Sequence, residues 1–288
     1  MLSDVSRRLF LGSLASAAGC RSQQTAERQP GVPFVCPMDP DVRSAGPAKC
    51  PKCGMALVAG IPEPREFHVD VRTTPRLVKP GAAVELRFAI HDPKLGKPAK
   101  LQLIHEKLLH LFLISQDLQH FAHEHPQLQP DGSFLFRTTL PKSGEYRLLC
   151  DFYPENATPQ MIARSLFVSG EGSPAALQAD VTDKTGENLL VKLRLDPEQP
   201  LAGKKTMMFF TLDPIDGLEQ YLGAWGHMLA ASSDLVDTIH QHPAWEDRNA
   251  TVQFNLIFRR PGVHRVWVQF QREGVVNTVA FNVSVAAI

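Results

Sequence analysis

The sequence lacks an excess of charge of either sign. Thirty basic residues balance thirty acidic ones, so no basic surface is expected for nucleic acid or for an anionic membrane. It also lacks a Gly-x-Ser-x-Gly elbow, a His-Glu-x-x-His helix and a glycine-rich phosphate loop, the motifs that mark common hydrolases and nucleotide-binding enzymes. Neither a nucleic-acid-binding protein nor an enzyme is expected.

Cysteine is scarce, with five residues in 288, which does not suggest a disulfide scaffold. Cys150 stands alone in a segment with apolar alternate residues, Tyr146 to Phe152, and is expected to be a buried thiol that packs as a small hydrophobe. A blue-copper site needs two histidines, a cysteine and usually a weak methionine. No histidine lies between Cys150 and Met161, which disfavours a cupredoxin-like electron carrier.

The first twenty residues predict an export signal rather than part of a fold. The segment Ser6 to Gly12 contains two consecutive arginines, as in twin-arginine signals. The apolar stretch that follows, Leu9 to Gly19, is shorter than the roughly 20 residues that cross a bilayer. It ends at a sequence that resembles a lipoprotein cleavage box, with Cys20 as the lipidated residue. The alternative is ordinary cleavage near Ala18. Either way we expect an exported protein on the periplasmic or cell-surface side.

Short alternating segments dominate the rest of the chain and predict an all-β fold. Phe67 to Val71, Val84 to Ile90 and Thr206 to Leu212 each alternate between apolar and polar residues, the pattern of half-buried strands. Proline and glycine turns separate them at about 8–12-residue spacing, as in immunoglobulin-like antiparallel sandwiches. We predict a tether over 21–33, a cysteine module over 34–60 and two tandem sandwiches over 65–170 and 175–288.

The cysteine module has the residues of a soft-metal site. The segments Cys36-Pro-Met38 and Cys50-Pro-Lys-Cys53-Gly-Met55 supply three thiolates and two thioethers, which favour monovalent copper or silver, whereas thiolates also suit zinc. Residues 34–58 resemble the small heavy-metal-binding domain attached to copper-transporting P-type ATPases and periplasmic copper/silver efflux adaptors. That family usually has histidine where this chain has Asp39, so the fourth ligand is open. In the alternative, Cys50 and Cys53 form a disulfide and the module is only a spacer.

A histidine pattern occurs twice, 117 residues apart. Residues 110–126 align without a gap on residues 227–243, and the apolar positions between the histidines have changed freely. Seven positions are identical, namely those of His110, Ser115, Asp117, Leu118, His123, His125 and Pro126. Three imidazoles that recur together indicate a metal site. The predicted ligands are His110, His123 and His125 in the first repeat and His227, His240 and His242 in the second.

A hairpin brings the three imidazoles of each repeat together. On an extended strand His123 and His125 face the same side. A tight turn at Gln116-Asp117 would place His110 directly opposite His123, with His125 on the diagonal, at distances that let all three rings reach one ion. His105, His120, His68 and His91 have no counterpart in the other repeat and are not expected in the site. The alternative is a hydrogen-bonded hairpin without metal.

The overall plan resembles a group of poorly characterised secreted bacterial proteins that combine the heavy-metal-binding module with immunoglobulin-like repeats. With the residues above, the favoured interpretation is a lipid-anchored extracytoplasmic protein that sequesters copper or hands it to an efflux or transfer protein. The cysteine module would hold Cu(I), and the histidine sites Cu(II) or zinc. The main alternative is a structural or adhesion protein whose sandwiches bind another protein.

Overall fold

The computed structural model describes residues 33–36, 42–51, 54, 56–60, 65–155, 157–243, 245–246 and 251–288. Every regular element in these residues is a β-strand, and all the paired strands are antiparallel. None of these residues forms a helix long and apolar enough to cross a membrane. The structure thus confirms the all-β class. The predicted export signal with Cys20, and the predicted tether as far as residue 32, lie outside the described residues.

The cysteine module is a small three-stranded sheet. Its strands are β1 (Phe34–Val35), β2 (Arg43–Ser44) and β3 (Val58–Ala59), in the order β2-β1-β3. Cys36, Cys50 and Leu57 are buried together beside this sheet, with Phe34 and Val42 packed against them.

The first sandwich contains eight strands in two sheets. These are β4 (His68–Thr74), β5 (Ala83–His91), β6 (Leu109–Ser115), β7 (Phe121–Glu124), β8 (Gln127–Leu128), β9 (Phe134–Thr139), β10 (Gly144–Phe152) and β11 (Gln160–Val168). One sheet has the order β4-β5-β9-β8 and the other β11-β10-β6-β7. This division of strands between two packed antiparallel sheets is that of immunoglobulin-like sandwiches, as predicted.

The second sandwich repeats the plan with two extra short strands. Its strands are β12 (Lys184–Thr185), β13 (Leu190–Asp196), β14 (Lys205–Asp213), β15 (Leu218–Glu219), β16 (His227–Ser232), β17 (Thr238–Gln241), β18 (Trp245–Glu246), β19 (Thr251–Ile257), β20 (Gly262–Arg272) and β21 (Val275–Val285). One sheet has the order β12-β13-β14-β19-β18. In the other, β20 pairs with β15, β16 and β21, and β16 pairs with β17. Strands β16, β17 and β20 therefore correspond to β6, β7 and β10.

Each sandwich has its own core, which the alternation of its strands builds. In β5, Leu86, Phe88 and Ile90 are buried and alternate with half-buried neighbours, and Met208 and Phe210 of β14 occupy the same positions in the second sandwich. Cys150 is completely buried among the aliphatic side chains of the first core. Burial raises the pKa of its thiol to about 12, as expected for a cysteine that acts as a small hydrophobe.

Strands β6 and β16 differ from the others because every residue in them is buried. One face of β6 enters the core of its own sandwich, and the other face packs against the second sandwich. The ring of Phe121 stacks on Trp267 across this contact, with centroids 4.8 Å apart. The buried residues between the sandwiches are Phe112, Ile114, Leu118, Leu149, Leu229, Ala231, Leu235 and Trp267. The two histidine-bearing sheets therefore face each other.

Candidate metal centre

The histidine hairpins form, but the predicted register is wrong by two residues. Phe112, not His110, pairs with His123, and in the second repeat Leu229 pairs with His240. A shift of two residues keeps each side chain on its original face of the sheet. The three imidazoles of each repeat therefore still converge, with His123 now on the diagonal from His110.

A longer turn than predicted causes this shift. The backbone N–H of Ser115 donates to the carbonyl of His120, so four residues rather than two form the loop. The Asp117 carboxylate accepts from the Ser115 hydroxyl at 2.5 Å and from the Gln119 N–H at 3.0 Å. Leu118 takes a positive φ of 60° and is completely buried. Its side chain anchors the loop, which offsets the cost of a left-handed backbone in a branched residue.

The first triad consists of His110, His123 and His125, and one ring nitrogen of each lies within 4.8 Å of the others. His110 Nδ1 is 3.1 Å from His123 Nε2 and 3.2 Å from His125 Nε2. His110 and His123 are buried, and His125 is half-buried. Three nitrogens that converge in this way are a common arrangement for binding a transition metal.

The second triad, His227, His240 and His242, has the same geometry, with ligand atoms within 4.8 Å of one another. His227 Nδ1, His240 Nε2 and His242 Nε2 are all buried, and none has a hydrogen-bond partner among the described residues. Buried polar atoms normally have a partner. Three unpartnered nitrogens in one place therefore fit a metal ion.

The remaining ring nitrogens show where the protons lie. His110 Nε2 is 3.1 Å from the carbonyl of Ile104, and His227 Nε2 is 2.9 Å from the carbonyl of Tyr221. A carbonyl oxygen can only accept a hydrogen bond, so in each ring Nε2 carries the proton and Nδ1 keeps its lone pair. The other nitrogen of each neutral ring is thus ready to bind a metal, in the pattern seen where outer partners orient metal-binding histidines.

Two of the outer partners come from the opposite sandwich. His123 Nδ1 donates to the side-chain oxygen of Gln269 at 2.7 Å, and His240 Nδ1 donates to the Asp151 carboxylate at 2.6 Å. Asp151 lies opposite His110 on the neighbouring strand, and Gln269 lies opposite His227. Each sandwich therefore orients a histidine of the other by an equivalent residue, an amide in one case and a carboxylate in the other.

The two triads form one continuous cluster between the sandwiches. The ring centroids of His123 and His227 are 5.5 Å apart, and those of His123 and His240 are 6.1 Å apart. His105 of the first sandwich stacks on His242 with centroids 3.8 Å apart. His105 was not expected near the site. It has no counterpart in the second repeat, where Leu222 takes its place, so the repeat carried no signal for it.

Burial favours the neutral form of five of the triad histidines, namely His110, His123, His125, His227 and His242. Desolvation lowers the pKa of His125 to about 3, with further contributions from His110 and Lys107. The same cause lowers the pKa of His227 to about 3 and that of His242 to about 2. Burial also lowers the pKa of His110 and His123. A neutral imidazole is the form that binds a metal.

The other predicted ligands lie in the cysteine module. Cys36 and Cys50 are buried close to each other. Gly54 has the positive φ, 76°, expected of a glycine in a metal knuckle. Met38, Cys53 and Met55 lie outside the described residues, as does Asp39. The structure therefore does not describe the complete predicted ligand set of this module.

Family models match most of the chain. Residues 66–163 and 184–287 match a family described as a domain of unknown function, DUF8832. The chain belongs to this family. Residues 34–59 match the family described as heavy metal binding domain, which supports the resemblance predicted from the cysteine and methionine residues and indicates heavy-metal binding by this segment. The DUF8832 match occurs twice, once in each sandwich, and each copy contains one histidine triad. No curated protein matches the chain.

The chain is only weakly similar to solved structures. They include the Escherichia coli adhesin FdeC, at 20% identity and a TM-score of 0.26 over 80% of this chain and 67% of that one. Red sea bream transglutaminase is 10% identical, with a TM-score of 0.24, over 77% of this chain and 32% of that one. The fibronectin(III)-like modules of Clostridium thermocellum CbhA are 9% identical, with a TM-score of 0.22, over 76% of this chain and 95% of that one. Similarity at this level carries no information about function.

Proposed function

We propose that this DUF8832 protein is an exported heavy-metal-binding protein that sequesters copper or passes it to a transfer or efflux protein. The observation that carries the proposal is the convergence of three buried, unpartnered imidazole nitrogens in the second triad. The equivalent atoms converge in the first triad. Imidazole suits Cu(II) and zinc, so these are the proposed ions of the triads.

Proton positions support a cation in the first triad. His110 donates its Nε2–H to the Ile104 carbonyl, and His123 donates its Nδ1–H to the Gln269 amide oxygen. When both rings are neutral, the 3.1 Å contact between His110 Nδ1 and His123 Nε2 therefore brings two lone pairs together. A metal ion between them turns this unfavourable contact into two coordinate bonds.

The cysteine module supplies the second half of the proposal. A segment that matches a heavy metal binding domain, with Cys36, Cys50, Cys53 and the methionines Met38 and Met55, suits Cu(I). Export by a twin-arginine signal and lipid attachment at Cys20 would place both kinds of site outside the cytoplasm, tethered to a membrane. The proposed role is binding and transfer rather than catalysis.

The metal content of the protein tests the proposal directly. The full chain would be loaded with Cu(I), Cu(II) or Zn(II), desalted and analysed for bound metal beside a variant with alanine at all six triad histidines. We expect the variant to lose about two equivalents of Cu(II) or Zn(II) while Cu(I) stays on the cysteine module. The pair His68→Ala and His91→Ala, whose rings contact Asp70 and Arg164 at the surface, is the matched control and should lose none.

One observation favours a second function. The bonds from His123 to Gln269 and from His240 to Asp151 join the two sandwiches, so the histidines also fit a structural role in an interaction or adhesion protein. Unchanged metal content in the six-histidine variant, together with a loss of stability, would favour this role and contradict metal binding at the triads.

A further inference from the structure

Asp151 and Gln269 occupy equivalent positions but carry different charges. Each follows the core residue at the corresponding position of its strand, Cys150 or Val268, and each accepts a hydrogen bond from a histidine of the other sandwich. A carboxylate that accepts from a metal-bound imidazole makes the ring more basic and strengthens its bond to the metal. A neutral amide orients the ring without adding negative charge.

A second charge difference acts in the same direction. Lys107 lies close enough to His125 to act on it electrostatically. Lys107 forms an isolated β-bridge with Ile104, and Ala224 forms the equivalent β-bridge with Tyr221 in the second repeat. The second triad therefore has an alanine where the first has this lysine. The first triad thus has a lysine nearby and bonds to an amide, whereas the second triad has an alanine in place of the lysine and bonds directly to the Asp151 carboxylate, which also acts electrostatically on His110.

The two triads are also close enough to influence each other. Rings of different triads approach to 5.5 Å between centroids, within a buried region where charges are poorly screened. A divalent ion in one triad therefore disfavours a second ion in the other. Asp151 is the charged group that opposes this repulsion, because it lies beside His110 on its own sheet and bonds to His240 of the other.

We propose that the two triads are a single inter-domain centre with unequal metal positions. The second triad, held by Asp151, fills first and retains its ion, and the first triad, held by Gln269, fills second and exchanges its ion readily. Asp151 and Gln269 are the positioning residues that set this order. The inference rests on the proposed metal-binding function and deepens it, since a retained ion and an exchangeable one suit a protein that passes metal on.

Titration of the full chain with Co(II) tests the order of filling. Cys36→Ser and Cys50→Ser would remove thiolate ligands from the cysteine module, and visible absorption would then follow the imidazole-bound ions. We expect two steps of different affinity. His242→Ala should abolish the tighter step and His125→Ala the weaker one, a matched pair because neither ring bonds to the opposite sandwich through Asp151 or Gln269.

Exchange of the two positioning residues tests the cause. Asp151→Asn should weaken the tighter step about 10- to 100-fold, the usual effect of losing an outer partner. Gln269→Glu should strengthen the weaker step by a similar factor. The variant with both changes keeps the net charge and should move the tighter site to the first triad, where His125→Ala would now remove it. Asp183→Asn, an exposed carboxylate beside β12, is the control and should change neither step.

The outcomes separate the two proposals. Two ions of equal affinity, or two steps that neither Asp151→Asn nor Gln269→Glu alters, would overturn the unequal centre and leave metal binding standing. Absence of imidazole-bound Co(II), Zn(II) and Cu(II) would overturn the proposed metal binding at the triads and this inference with it. A folding defect in Asp151→Asn would by itself weaken metal binding. Such a defect cannot produce the stronger binding expected of Gln269→Glu, so the second variant still tests the proposal.

Discussion

The two histidine triads share their ligands but not their surroundings. Both have three imidazoles on a hairpin with a four-residue loop, and both hold the first histidine through a backbone carbonyl. They differ at the residue that the opposite sandwich contributes, Gln269 for His123 and Asp151 for His240. A repeated motif can thus preserve the convergence of three imidazoles while the neighbouring residues give each copy a different charge.

The two sandwiches contribute side chains of different size to the contact between them. Trp267 of the second repeat corresponds to Leu149 of the first, whereas Phe112 and Ile114 of the first correspond to Leu229 and Ala231 of the second. Each sandwich therefore contributes a larger residue at some positions where the other has a smaller one. The comparison between the triads depends on this contact, because Asp151 and Gln269 reach their histidines only when the two sheets are packed together.

The largest effect is expected from breaking this contact. Trp267→Ala removes a buried indole that stacks on Phe121, a loss of about 3–5 kcal/mol for a large aromatic side chain. Both triads should then bind metal more weakly, because each loses its partner from the opposite sandwich. Urea unfolding and Co(II) titration would measure the two effects. Full affinity for both ions in the destabilised variant would show that each hairpin works alone.

Removal of the equivalent histidines should expose the charge difference without any metal. His240→Ala leaves the Asp151 carboxylate, whose side chain is 11% exposed, without its donor, a loss of about 3 kcal/mol for a charged group. His123→Ala leaves only the neutral Gln269 amide without a donor, a loss of about 1 kcal/mol. The measurement is the urea midpoint of the metal-free variants. Equal losses would contradict a different role for the two partners.

Zinc should stabilise the two triads unequally. A ligand that binds only the folded protein adds about 2.7 kcal/mol to the free energy of unfolding at 100 times its Kd. At a zinc concentration that saturates only the tighter site, His125→Ala should therefore keep most of the zinc-induced rise in melting temperature, and His242→Ala should lose most of it. Equal rises in the two variants would contradict the assignment of the tighter site to the second triad.

The sequence predicted the ligands better than their arrangement. Alternation marked the strands, and the repeat marked the six histidines because they persist where Phe112 and Ile114 have changed. Three of the other four identical positions are now explained as well, since Ser115, Asp117 and Leu118 build the hairpin loop. The register was missed because Asp117 alone does not reveal that Leu118 is buried with a positive φ, and loop length follows from that burial.

The contact between the sandwiches was harder to predict. No local pattern specifies which sheets of two domains will face each other, so the approach of the triads and of His105 was not anticipated. A signal was nonetheless present. Strand β6 is apolar on both faces apart from His110 and Ser115, which indicates a strand covered on both sides. Asp151, a charged residue that ends a run of apolar positions at Leu148, Leu149 and Cys150, was the sign of a polar partner there.

The smallest effect is expected at Cys150, which corresponds to Val268 in the second repeat. Cys150 is completely buried and its pKa is raised to about 12 by desolvation, so at pH 8 the thiol carries almost no reactive thiolate. Cys150→Val is close to a volume-conserving change in an apolar core and should alter the free energy of unfolding by less than about 1.5 kcal/mol.

In the Cys36→Ser and Cys50→Ser background, an alkylating reagent should modify Cys150 only after urea unfolds the protein, which peptide mass analysis would show. Both Co(II) steps should remain as in the parent protein, because Cys150 faces the core while Asp151 and Gln269 face the triads. A change in either step would mean that the core of the first sandwich, and not only the charge of Asp151, sets the difference between the two metal positions.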